Sequence, residues 1–135
     1  MNIEQAMDER RWMVLGNVTA PDKVAHQIFR ALQDHGYEVV GFHPKAISGE
    51  GVYNDWTKLP FNPVVLDLVV RPEVGLEFLA DAVKAGVRFV VAQPGARSEA
   101  IRSFCEEHHV GYFESCALVA LRERGRGPLT ENPLE

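Results

Sequence analysis

The chain has 135 residues, enough for one domain with a real core, and its 46% hydrophobic and 24% charged residues are ordinary for a globular protein. A net charge of −5 gives no support to a nucleic-acid or membrane-surface role, and no apolar run approaches the roughly 20 residues of a membrane span. The two cysteines make no disulfide framework and the opening MNIEQAMDERRW is too polar for a secretory signal, so the expected compartment is the cytoplasm, with both thiols reduced.

Apolar, β-branched runs predict strands at 12–16 (WMVLG), 37–42 (YEVVGF), 64–70 (VVLDLVV), 87–93 (VRFVVAQ) and 110–115 (VGYFES), with onsets about every 25 residues. Helical periodicity fills the gaps. Val24, Ile28, Ala31 and Leu32 share one face before Gly36. Val74, Phe78, Ala82 and Val83 share another, between Pro72 and Gly86. Ile101, Phe104 and Cys105 follow Ser98, a predicted N-cap. The stretch from Asn54 to Leu59 has room for one short helix before Pro60 and Pro63. The Pro-, Gly- and charge-rich end reads as a loose tail over 125–135, leaving 1–124 as a single domain.

Strands alternating with helices predict an α/β fold: a Rossmann-like, doubly wound, mostly parallel five-stranded sheet with helices on both faces. Ligands of such sheets bind outside the carboxyl ends of the strands. That rule selects the loops at 17–23, 43–45, 71–72, 93–97 and 115–116.

The first loop, NVTAPDK, offers backbone N–H groups, a helix N-terminus and Lys23, with Gly16 at the exit from the strand. It serves equally as a connector in which Asp22 or Thr19 caps the helix. His43 and Lys45 stand where a dinucleotide fold reads the ribose, and they suit an added phosphate; a solvated Lys45 is the plainer alternative. Arg71 can grip a phosphate or pair with Glu73, and Gln93 with Gly95 forms either an amide contact or a simple turn. Asp67, inside an apolar run, must be hydrogen-bonded, paired or neutral, and is expected to tie loops together near the sheet's end. No metal site is predicted, because His108 and His109 are adjacent and the other histidines scattered. No catalytic residue is assigned: Cys116 has no basic partner in sequence, and Cys105 lies on an apolar helix face.

Four segments in order, VLGNVTAPDKVAHQIFRALQDHGYEVVGFHPK, VVLDLVVRPE, FVVAQPGARSEA and ESC, span about residues 12 to 117. Together they resemble the small single-domain CoA-binding proteins, a Rossmann-like group related to the CoA-binding domain of the succinyl-CoA synthetase alpha subunit. HGYEVVGFHPK resembles the family's HGY-x-V-x-x-x-NPK, and LDLVVRPE resembles its VD-x-x-RRPE.

The resemblance implies coenzyme A as ligand. Gly16, Asn17 and Val18 would line the pyrophosphate loop, with Lys23 at a position usually held by arginine. His43, Pro44 and Lys45 match NPK, with Lys45 near the ribose phosphate. Val69, Val70, Arg71 and Pro72 would flank the adenine and the pantetheine channel, Gln93 and Gly95 would close the mouth, and Cys116 matches the late cysteine. The expected function is binding of CoA or an acyl-CoA, without catalysis by this chain alone. Homodimerisation is a weaker expectation, and no protein partner is indicated.

This sequence departs from the family where Val18, Ala25, His43 and Val70 replace Ser, Ser, Asn and Arg, and where Glu114-Ser115 replaces Asp-Arg. Those departures motivate two alternatives, a binder of another nucleotide such as NAD(P) or ATP and an interaction protein with a degenerate site; an enzyme using the Cys116 thiol is a separate one.

Overall fold

The computed structural model describes residues 2–43 and 51–129. In chain order the elements are α1 (Ile3–Met7), β1 (Arg11–Leu15), α2 (Val24–Asp34), β2 (Glu38–Phe42), β3 (Val52–Tyr53), a 3-10 turn (Trp56–Lys58), β4 (Val65–Leu68), α3 (Pro72–Lys84), β5 (Phe89–Ala92), α4 (Glu99–Glu107), β6 (Gly111–Glu114) and α5 (Ala117–Arg124).

The sheet is wholly parallel, in the order β3-β2-β1-β4-β5-β6. This is the Rossmann-like order, and its winding reverses between β1 and β4. The sheet therefore has six strands rather than the expected five. The added β3 is only two residues long, too short to carry a period, and is held on β2 by backbone bonds such as Gly41 N–H to the Gly51 carbonyl at 2.8 Å.

Alternation along the strands splits the core in two. Trp12 and Val14 face one layer with α1, α2 and α5; Met13 and Leu15 face the other, with α3 and α4. Helix α2 buries Ala25, Ile28, Phe29 and Leu32, while Val24 stays 47% exposed, so the packed face is rotated from the predicted one. Pro72 opens α3 at its first turn and Ser98 caps α4, accepting the Ile101 N–H at 3.2 Å. Cys105 is fully buried, and desolvation pushes its thiol up to about 12.

Residues 125–129, the described part of the segment read as a tail, lie against the end of α1. The Leu129 N–H donates to the Asp8 carbonyl at 2.9 Å and Arg126 pairs with Asp8 at 3.5 Å.

Candidate functional site

Three strand ends lie side by side. The chain leaves β1 at Gly16, β4 at Val69 and β5 at Gln93, and the Val69 and Gln93 N–H groups donate to Leu15 and Leu68. Gly16 is favoured by closeness rather than by a sharp turn. A Cβ there would stand 3.1 Å from the Ala25 Cβ, the Val69 Cβ and the Val69 carbonyl. The start of α2 is thereby drawn down onto the floor that these three residues make.

The loop after β1 does not use the caps that sequence suggests. Helix α2 begins at Val24, with Lys23 as an N-cap that makes no side-chain bond. Thr19 instead donates to Asn17 Oδ1 at 2.9 Å, and Asp22 is exposed. Among the described residues no side chain accepts from the first-turn N–H groups of α2, and that turn holds no acidic residue. The partial positive charge of this end therefore faces outward. Val18 turns inward: it is 4% exposed and packs on β2, where a Cβ on Gly41 would come within 2.3 Å of Val18 Cγ2. Its carbonyl accepts from His26 Nδ1 at 2.8 Å.

On the far side, Gln93 is 2% exposed and its Oε1 accepts the Ala117 N–H at 2.9 Å. Gln93 thus caps α5 from across the sheet, a role that Cys116, the N-cap residue, does not fill.

Between the two helix starts lies a cleft of about 480 Å³. Asn17, Lys23, Val24 and Ala25 line its β1 side, Val69 its middle, and Gln93, Pro94, Cys116 and Leu118 its β5 side. No carboxylate is among them, although the chain as a whole is acidic.

Of the residues singled out in sequence, Asn17, Lys23, Val69, Gln93 and Cys116 meet at this cleft. Val70 points to the opposite layer, packed with the α3 and α4 core. Arg71 is exposed as the N-cap of α3, and Pro72 follows in that helix; neither lines the cleft. Gly95 sits in an exposed turn at φ +91° beyond Gln93, where left-handed backbone favours glycine. The His43 N–H holds β3 through the Tyr53 carbonyl at 3.0 Å. Pro44 and Lys45 lie outside the described residues.

Asp67 ties no loops together. It lies within β4 between Val14 and Val91, fully buried, on the face of Val65 and Val69, one layer below the floor. Among the described residues neither carboxyl oxygen has a hydrogen-bond partner, and desolvation holds its pKa well above the ordinary 3.8.

Sequence reasoning missed Val24, Ala25, Pro94 and Leu118 as cleft residues. The run ALVALRER after Cys116 was the available signal for α5, and hence for Leu118. Among the described residues there is no cluster of three metal-ligating side chains, and no helix is long and apolar enough to cross a membrane.

Comparison with known proteins gives three kinds of finding. A family model described as the CoA binding domain matches residues 10–122. Among solved structures, a conserved hypothetical protein from Pyrococcus furiosus is 36% identical, with a TM-score of 0.73 over 83% of this chain and 99% of that one. A hypothetical protein from Pyrococcus horikoshii OT3 is 22% identical, with a TM-score of 0.82 over 90% of this chain and 88% of that one. A dinucleotide-forming acetyl-coenzyme A synthetase from Ca. Korarchaeum cryptofilum, solved with phosphate and ADP, is 22% identical with a TM-score of 0.65; the match covers 82% of this chain and 26% of that one. No curated protein matches the chain.

Proposed function

The chain belongs to the CoA binding domain family, and from that premise we propose that its cleft binds coenzyme A, free or acylated, as a binding module with no catalytic groups of its own. One observation carries the reading: at the switch point of the sheet, a cleft without a carboxylate runs between the first turns of α2 and α5.

The β1 side suits the pyrophosphate. Free N–H groups of α2 and the Lys23 ammonium are donors with positive charge, and they favour a phosphate oxygen. The apolar middle, Val69, suits the uncharged part of the ligand. Lys45 remains assigned to the ribose 3′-phosphate by its place in the family motif. Arg71, away from the cleft, takes no part in this reading.

Calorimetric titration tests it. CoA is expected to bind saturably, more tightly than dephospho-CoA, NAD or ATP at the same salt. Lys23→Ala is expected to weaken CoA about tenfold or more, the worth of one charge-assisted hydrogen bond. Absence of saturable CoA binding overturns the proposal. Binding that ignores the 3′-phosphate transfers it to another nucleotide.

A further inference from the structure

Gln93 is the most buried polar side chain at the cleft, and its orientation is fixed by chemistry. An amide N–H can be met only by an acceptor, so the atom facing the Ala117 N–H is Oε1. The side-chain NH2 is then turned away from α5. Among the described residues nothing accepts from it, yet it is not sealed from the cleft that Gln93 lines. A side chain 2% exposed thus presents an unpartnered donor at a ligand-sized opening.

Its surroundings narrow what that donor can meet. Val69, Pro94 and Leu118 are apolar, and Lys23, the cationic side chain of the lining, lies on the β1 side, two strands away. At the usual spacing of parallel strands this is about 10 Å. A phosphate held at the start of α2 therefore leaves Gln93 facing a later, uncharged part of the same ligand. The fitting partner is a neutral acceptor flanked by carbon, which a carbonyl oxygen supplies.

We propose that Gln93 determines specificity for the arm of the ligand, donating its NH2 to an amide carbonyl of pantetheine while its Oε1 holds the start of α5. The proposal rests on the CoA reading above and adds the group that distinguishes CoA from a bare nucleotide. The two bonds reinforce each other, since the amide that meets the ligand is aimed by the one that meets Ala117.

The test uses the whole chain, 15N-labelled, with CoA and with adenosine 3′,5′-bisphosphate, which lacks the arm. The Gln93 side-chain NH2 resonances are expected to shift with CoA and to stay in place with the bisphosphate. In Gln93→Met, the Kd for CoA is expected to rise about tenfold more than the Kd for the bisphosphate. If CoA binds the unaltered chain while the Gln93 NH2 resonances stay still, this proposal fails and the CoA reading stands. Equal weakening of both ligands likewise overturns it, because Gln93 would then act only through α5. If CoA does not bind the unaltered chain, the CoA reading itself has failed. The resonance measurement needs no variant, so a Gln93→Met protein that fails to fold leaves the question answerable.

Discussion

Arg124, at the end of the last helix, donates to Asp8 at 2.6 Å and to Glu4 at 2.9 Å, closing a contact across 116 residues of sequence to the first helix. Its side chain is 3% exposed, whereas both acids are partly exposed. Removing the arginine strands no fully buried carboxylate, because Asp8 and Glu4 can be hydrated in place. Arg124→Met is therefore expected to cost about 1–3 kcal/mol, below the full penalty of a broken buried pair. Urea denaturation at neutral pH measures the difference, and an unchanged midpoint would mean that α1 and α5 are held by packing alone.

Asp67 makes stability fall as pH rises. Its folded-state pKa is raised by burial, so the folded chain holds a proton that the unfolded chain has already released. The stability this group supports is complete below the ordinary value of 3.8. It declines as pH climbs toward the raised value, by at most ~1.4 kcal/mol per pH unit, and levels off once that value is passed. Asp67→Asn should remove this slope. Asp67→Val, matching Val14 and Val91 beside it, should exceed the unaltered chain in stability at pH 7 by about 1–3 kcal/mol. Denaturant midpoints of the three proteins between pH 4 and 8 decide it, and parallel curves would contradict the assignment.

Val18 and Gly41 are complementary in volume. Gly41→Ala is expected to destabilise by about 1–3 kcal/mol, because the added methyl would sit 2.3 Å from Val18 Cγ2. Val18→Ser makes room. The double variant should therefore recover part of the loss, with a coupling of about 0.5–3 kcal/mol. Additive effects would show that the two sites relax independently.

The two thiols should separate by reactivity. Cys105 is buried and its pKa raised to about 12, whereas Cys116 is half-exposed at the cleft. A small alkylating reagent at pH 8 is expected to add once to the native chain and twice after denaturation, as read by intact mass. Saturating CoA should slow the native addition. Alkylation at equal rates with and without bound CoA would place the ligand away from Cys116.

Much of the fold was legible because five strands are apolar, β-branched runs long enough to show a boundary. Strand β3 was not, because two residues carry no period and its pairing is made by backbone alone. The cleft was partly legible for the same reason. Residues just past strand ends gather at one edge, and that rule found Asn17, Lys23, Gln93 and Cys116. The family resemblance grouped Val69 with Val70, but strand alternation decides direction, and these neighbours in sequence lie on opposite faces of the sheet. Neither reading could see that Gln93 reaches Ala117, a bond across 24 residues that depends on how α5 docks.

The donors at the start of α2 belong to the main chain, and this bears on what a substitution there can remove. Exchanging Lys23 or Val18 for another residue leaves those N–H groups where they are, and within that turn only proline deletes one. On the CoA reading, the phosphate cradle is therefore a property of the backbone, while the side chains around it set strength and selectivity.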